Sequence, residues 1–316
     1  MAGMTTPDHA AMLPLLFLGL GRGEIPAAPS LPTSPSPLPT EQPSTPPAPW
    51  AGVADPLPSG PVNVLIVGTD NTTNVGNTDV LVVAQLSADR TRVGLVGIPR
   101  DSWVSIASGG KDKINSALYR GGISNTKRTV SNLLDGLEIH YVAQANFATF
   151  IKLCVLFNGF GVTNKISSSV TSKVTGKVTR FPAGKMVKYG ADWLIYARQR
   201  HGLPRGEFDR GERHRAIVTG MTTLLKYLSF HQPQRLASIA PRVFDYVNVY
   251  GGLDRDNVLG LIPTLQRISW TGFTSVKLPV AAVNDAVTLD FGRLAELSAA
   301  LHNGDIAPYV ARYGSA

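Results

Sequence analysis

The sequence predicts an α/β fold: a three-layer helix–sheet–helix sandwich around a mixed central sheet, preceded by a disordered, proline-rich tether. Three observations carry that expectation. Short apolar runs that end in glycine or proline recur after residue 61, the mark of strands buried on both faces. Segments with apolar residues at helical spacing lie between and after them. By contrast, 14 of the 23 prolines crowd into the first 60 residues, among Ala, Ser and Thr.

Residues 1–60 form the first unit: a short apolar segment and a linker. Such a stretch cannot bury enough apolar area to offset its ordering entropy, so 24–60 reads as an extended tether. Ahead of it, residues 10–20 are uncharged and apolar. This run is shorter than the roughly 20 residues a bilayer requires, lacks a basic flank and is interrupted by Pro14. A membrane anchor and an inert tail are both open readings of it.

The second unit, residues 61–310, is the folded body. Residues 62–68, 80–86 and 92–98 read as core strands, 125–134 as a helix and 141–145 as a strand. A helix over 147–157 stops at Asn158-Gly159. The alternation of 166–179 suits a strand or hairpin, and 190–197 a short helix. The next helix starts at Asp209, where Glu212 three positions on gives a capping-box pattern. Ile217, Met221, Leu224, Leu225 and Leu228 form its apolar stripe. Helix 253–268, strand 274–278 and helix 291–301 follow. The lone cysteine, Cys154, sits in an apolar stretch and reads as a buried thiol.

Charge points to an anionic partner. The net formal charge is +8, yet residues 1–60 hold Arg22 against Asp8, Glu24, Glu41 and Asp55, a balance of −3 that leaves +11 for the body. The cations alternate with acids in separate motifs, with no basic run, zinc finger or RNA-recognition signature. That argues against a nucleic-acid partner. There is also no Walker A, GxSxG or HExxH sequence.

Five constellations can carry chemistry. Asp70 closes the first strand and Asp79 stands at the start of the second. Two carboxylates at facing strand ends suit Mg²⁺, which takes one or two carboxylates plus phosphate oxygens and water; turn chemistry is the plainer reading. Arg100-Asp101 follows the third strand after Pro99: a bidentate phosphate grip or a surface ion pair. Lys113, within Lys111–Asn115, is a phosphate contact or part of a solvated loop. Arg198 and Arg200 face one side if the backbone is extended, and diverge if the helix continues. Arg210 and His214 fall on the inward side of the helix from Asp209, whose N-terminus favours anions, whereas Arg213 lies off that line and is expected to be exposed or ion-paired.

In order, V-L-I-V-G-T-D, N-T-D-V-L-V-V, I-P-R-D, K-D-K-I-N-S-A, F-P-A-G-K, Y-A-R-Q-R-H and F-D-R-G-E-R resemble the LytR-CpsA-Psr family over residues 62–228, with a weaker C-terminal continuation. The resemblance implies an Mg²⁺-dependent phosphotransferase at the extracytoplasmic face of the membrane of Gram-positive-type bacteria. It would move a glycan with one phosphate from a polyprenyl-pyrophosphate carrier to a peptidoglycan hydroxyl. It implies Asp70 and Asp79 as the magnesium carboxylates. Arg100, Lys113, Arg198, Arg200 and Arg210 become the pyrophosphate cations, and Asp101 orients Arg100 or accepts the acceptor's proton; His214, standing where the family has glutamine, can still donate a hydrogen bond to the pyrophosphate. The lipid tail is expected in an apolar groove between sheet and helices. Asn77, Val80, His214 and Asn71-Thr72 depart from the family pattern, each losing a donor near the phosphates. That keeps an alternative open: a pyrophosphatase or lipid-pyrophosphate binder without transfer.

Overall fold

The structure, a computed structural model, describes residues 48–70 and 76–314. The expected apolar run at 10–20 and the tether up to residue 47 lie outside the described residues. No helix among the described residues is long and apolar enough to cross a membrane.

The core of the body is a six-stranded mixed sheet. Its first strands are β1 (Val62–Thr69), β2 (Thr78–Leu86) and β3 (Val93–Gly97). A small hairpin, β4 (Trp103–Ser105) with β5 (Lys111–Lys113), leads into α1 (Ser116–Leu133), which is broken by a kink at Gly121 and Gly122. Lys111–Lys113 is therefore paired strand, where a solvated loop was the plainer expectation. Then come β6 (Tyr141–Asn146), α2 (Phe147–Leu156), β7 (Phe160–Asn164), β8 (Ser168–Thr171), β9 (Val178–Phe181) and β10 (Gly184–Lys188). After these run α3 (Ala191–Arg198), the long α4 (Glu207–His231), α5 (Pro233–Ile239) and β11 (Asn248–Tyr250). The chain closes with α6 (Ile262–Arg267), β12 (Phe273–Lys277), β13 (Val280–Val283), β14 (Val287–Leu289), α7 (Phe291–His302) and α8 (Ala307–Tyr313). The sheet order is β11-β6-β1-β2-β3-β12. β1 runs antiparallel to β2 and parallel to β6, and β3 parallel to β12.

Alternation along the strands builds two layers of packing. Leu65, Val67, Leu81, Val83, Val96 and Ile98 meet residues of α1, α7 and α8 in one buried cluster. Ile66, Val80, Val82 and Leu95 face the other way, with Val218 of α4 and Leu265 of α6. A second core, built on the stacked Phe160 and Trp193 rings at 4.3 Å, ties α2, α3 and α4 to the paired strands β7 and β10. Cys154 is buried there, and burial pushes its thiol up to about 12, as an apolar site requires.

Several boundaries differ from expectation. Residues 48–60 are packed, not a free linker: Trp50 is buried against the second core, Arg90 donates to the carbonyls of Pro58 and Gly60, and Tyr141 Oη to that of Pro56. The folded body therefore begins before residue 61. Residues 253–268 form a 3-10 turn at Val258–Leu261 and then α6, not one helix. Gly260 lies so close under the Ala54 carbonyl that a Cβ would overlap it, and Pro263 marks the true start. Helix α4 begins at Glu207, capped by Gly206 without a side-chain bond. Asp209 does not cap it; its carboxylate accepts from Arg205 N and Nε.

Candidate active site

The site forms where β1, β2, β3 and β6 meet one edge of the sheet. Gly68 pairs with Val80, but Thr69 pairs with Thr78, so Asp79 is the extra residue of a β-bulge. In an unbroken strand Asp79 would share the face of Leu81 and Val83, away from α4. The bulge re-aims it: its carboxylate binds Arg100 and lies 3.6 Å from Arg210 Nη1 on α4. Gly68 is required opposite, because a Cβ there would stand 2.8 Å from that of Val80.

From Asp79 a chain of alternating charges spreads outward. Arg100 Nε is 3.8 Å from Asp101, and Lys113 Nζ is 3.7 Å from the other oxygen of the same carboxylate. Arg210 donates to Glu207 at 2.6 Å, and Arg200 lies 4.0 Å from Glu207. The structure thus gathers Asp79, Arg100, Asp101, Lys113, Arg200 and Arg210 into one network. Burial alone would lower the Arg100 pKa, but Asp79, Glu207 and Asp101 outweigh it and hold the guanidinium above its ordinary value. Burial raises the Glu207 carboxyl, more than Arg210 lowers it.

Asp70 is exposed at the end of β1, joined to Asp79 through the Thr69–Thr78 pair. Arg198 sits apart from the charge network, exposed, with its guanidinium 4.6 Å over the Phe147 ring. Because Thr69 pairs with Asn146, Phe147 lies level with Asp70, which places Arg198 on the Asp70 side of the site. The chain is extended at Gln199; Arg198 and Arg200 are exposed, with Gln199 buried between them.

Five of the buried side-chain atoms that lack a hydrogen-bond partner belong to this region: Thr69 Oγ1, Thr78 Oγ1, Arg100 Nε, Arg210 Nε and Glu207 Oε2. Native interiors seldom leave such groups unpaired. Their concentration at one sheet edge describes a surface built to receive a polar ligand.

A model of the LytR_cpsA_psr family matches residues 40–299. The chain belongs to that family. It is 32% identical over 165 residues to the polyisoprenyl-teichoic acid–peptidoglycan teichoic acid transferase TagU of Bacillus cereus (strain AH820), 52% of each chain. To the TagU of Halalkalibacterium halodurans it is 29% identical over 220 residues, 67% of this chain and 70% of that one. The chain spans about half the length of the first of these relatives. The crystal structure of B. subtilis TagV superposes with a TM-score of 0.67 and 23% identity, covering 78% of this chain and 98% of that one; it shows the shared fold.

In this LytR_cpsA_psr chain two expected roles read differently in three dimensions. His214 is buried, with Nε2 2.9 Å from the Ala197 carbonyl, and burial, reinforced by Arg210, lowers its pKa to about 4. It is a neutral strut tying α4 to α3. Arg213 is not exposed: it donates to the Tyr196 carbonyl, Gln199 Oε1 and Ser168 Oγ and lies 4.3 Å over the Tyr196 ring. Its partners come from α3 and β8, which helix periodicity could not reveal. Glu207 was missed as well; its only signal was an acid one turn before Arg210.

Beside the charge network, α4, the paired strands β7 and β10, and β12 border a cavity of about 750 Å³ whose mostly apolar wall includes Val162, Met186, Ala216 and Phe273, with Lys165, Lys185 and Glu212 also in its lining. Arg215 stands between this cavity and the Asp79 cleft, lining both. Its Nε donates to Ser275 Oγ at 2.6 Å, and its guanidinium packs onto Gly97, where a Cβ would overlap it. Burial lowers its pKa to about 10.

Proposed function

We propose that this protein transfers a phosphate-linked glycan from a polyprenyl-pyrophosphate carrier to a peptidoglycan hydroxyl at the extracytoplasmic face of the membrane. The observation that carries this reading is the bulged Asp79 held between Arg100 and Arg210, amid buried polar atoms that have no hydrogen-bond partner. Phosphoryl transfer asks a protein for positioning and charge neutralisation more than for covalent help, and this network offers both. The names of the TagU relatives agree with it.

In the proposed reaction Arg100, Arg210, Lys113, Arg200 and Arg198 neutralise the diphosphate. The acceptor oxygen attacks the sugar-linked phosphorus as the bond to the bridging oxygen breaks, and polyprenyl phosphate leaves. Asp101, 3.7 Å from Lys113, takes the proton of the acceptor hydroxyl. Asp70 and Asp79, flanked by the unpartnered hydroxyls of Thr69 and Thr78, offer the hard oxygen donors that Mg²⁺ prefers, although no three-residue metal cluster occurs among the described residues. When bound, the ion supplies positive charge to the phosphate oxygens. The prenyl tail is assigned to the 750 Å³ cavity under α4.

The test is Arg100→Ala and Asp70→Ala with a short-chain prenyl-pyrophosphate-linked sugar and Mg²⁺. Transfer should fall at least about 100-fold in each while the unfolding temperature holds. A folded double variant with full turnover overturns the site. Phosphate release without transfer to any wall acceptor would favour the hydrolase alternative, which the missing donors at Asn77, Val80 and His214 motivate.

A further inference from the structure

A second concavity lies outside the charge network. The β4–β5 hairpin, the end of α1 and the face of α7 enclose a cleft of about 490 Å³. Two aromatic rings stand exposed in it: Trp103 at 46% and Phe291 at 62%. Exposed rings such as Tyr119 and Trp270 occur elsewhere on this surface; Trp103 and Phe291 together line one cleft beside polar groups, and it is that arrangement that points to a ligand. Lys111, Asn132 and Asp135 supply polar groups to the same wall. Among the described residues, none of these three side chains has a hydrogen bond or ion pair, so each is free to meet a ligand.

Register connects this cleft to the reacting groups. Trp103 pairs directly with Lys113, and Ser105 with Lys111. Opposed residues share a face of the hairpin, so the indole lies beside the lysine whose ammonium is 3.7 Å from Asp101. The far wall is fixed to the same segment. Val287 N donates to the Asp101 carbonyl, Ser102 bridges to Val287, and β14 then runs into Asp290, which caps α7 just before Phe291. The main chain at Trp103 and at the start of α7 is therefore held at set positions relative to Asp101.

We propose that this cleft is a saccharide-binding subsite that holds the glycan strand of the acceptor. A pyranose ring has an apolar C–H face and a rim of hydroxyls; exposed rings take the face, and Asn132, Asp135 and Lys111 take the rim. A prenyl tail fits less well here than in the larger cavity of about 750 Å³ under α4, because it would bury the unpaired Lys111 and Asp135 in a smaller cleft of about 490 Å³. A diphosphate fits poorly too, because the lining holds one lysine and one aspartate and so no net positive charge. The acceptor side is favoured because Asp101, the proposed proton acceptor, is the network member tied to both walls. The identity of the occupant rests on the proposed transferase reading; the saccharide chemistry does not.

The test is calorimetric titration of the full chain with an N-acetylglucosamine tetramer, alongside Trp103→Ala, Phe291→Ala and Arg100→Ala. Both aromatic substitutions lie on the surface, and their unfolding temperatures check that they fold. The tetramer should bind the wild type and Arg100→Ala equally, and each aromatic variant roughly tenfold more weakly. In the transfer assay Trp103→Ala should raise KM for the acceptor and leave that for the donor unchanged. No tetramer binding by the wild type, or wild-type affinity retained in both aromatic variants, overturns the subsite. A change in donor KM alone overturns the acceptor assignment. Intact tetramer binding without any transfer would instead count against the transferase reading and leave the subsite standing.

Discussion

At the scale of single residues, the network divides into groups that touch substrate in the proposed reaction and groups that hold them. Asp101 belongs to the first set. Asp101→Asn keeps the side chain's size and removes its basicity, so kcat should fall about 10²- to 10⁴-fold with donor KM little changed. A loss of donor affinity instead would assign Asp101 to binding. His214 belongs to the second set, and its burial has a pH consequence. Its pKa drops from 6.5 to about 4 on folding, so between those values the unfolded chain binds a proton that the native one refuses. Above pH 6.5 the group adds no pH dependence. Below it, this residue alone should cost up to about 1.4 kcal/mol per pH unit. His214→Gln, which can still donate to the Ala197 carbonyl, should flatten that slope in urea unfolding at pH 5 against pH 7; an unchanged slope would remove the argument. The charged residues after strands were legible in sequence because strand ends advertise them: Asp70, Asp79 and Arg100 each follow or begin an apolar run. Arg213 was not, because the ring and oxygens that bury it belong to Tyr196, Gln199 and Ser168, distant in the chain.

At the scale of elements, α4 is the piece on which the site depends, since it carries Glu207, Arg210 and His214 along one edge and closes the 750 Å³ cavity with another. Its seat against β7 is made by Gly220. A Cβ there would overlap the Gly161 carbonyl oxygen and stand 3.0 Å from Val162. Gly220→Ala should therefore lower the thermal midpoint, despite the roughly 1 kcal/mol that alanine gains over glycine in a helix interior. A rise in the midpoint would mean that the strand yields freely. Helix and strand positions were readable from periodicity where one element faces one core, as in β1 to β3 and α7. They were misread at 253–268, where the controlling contact is Gly260 against Ala54, a close approach that spacing does not encode. The hairpin β4–β5 escaped for a similar reason: its three-residue strands are too short to show alternation.

At the scale of the whole molecule, the sheet and its helices were legible, while the start of the folded body was not. Proline content marked 48–60 as linker, yet Trp50, Arg90 and Tyr141 hold that segment down. Proline-rich chain needs no order of its own when neighbours bond its carbonyls. Trp50→Ala should cost about 3–5 kcal/mol, and a chain starting at Pro61 should unfold at clearly lower urea than one starting at Ala48. Equal midpoints would show the strap to be dispensable. The Asp79 bulge has a different consequence, one of counting. The stretch Thr78–Val80 works by having one residue too many, so its length matters more than much of its chemistry. A deletion scan should find the segment closed to any gap, because a one-residue gap would restore an even ladder and turn the carboxylate toward the wrong side of the protein.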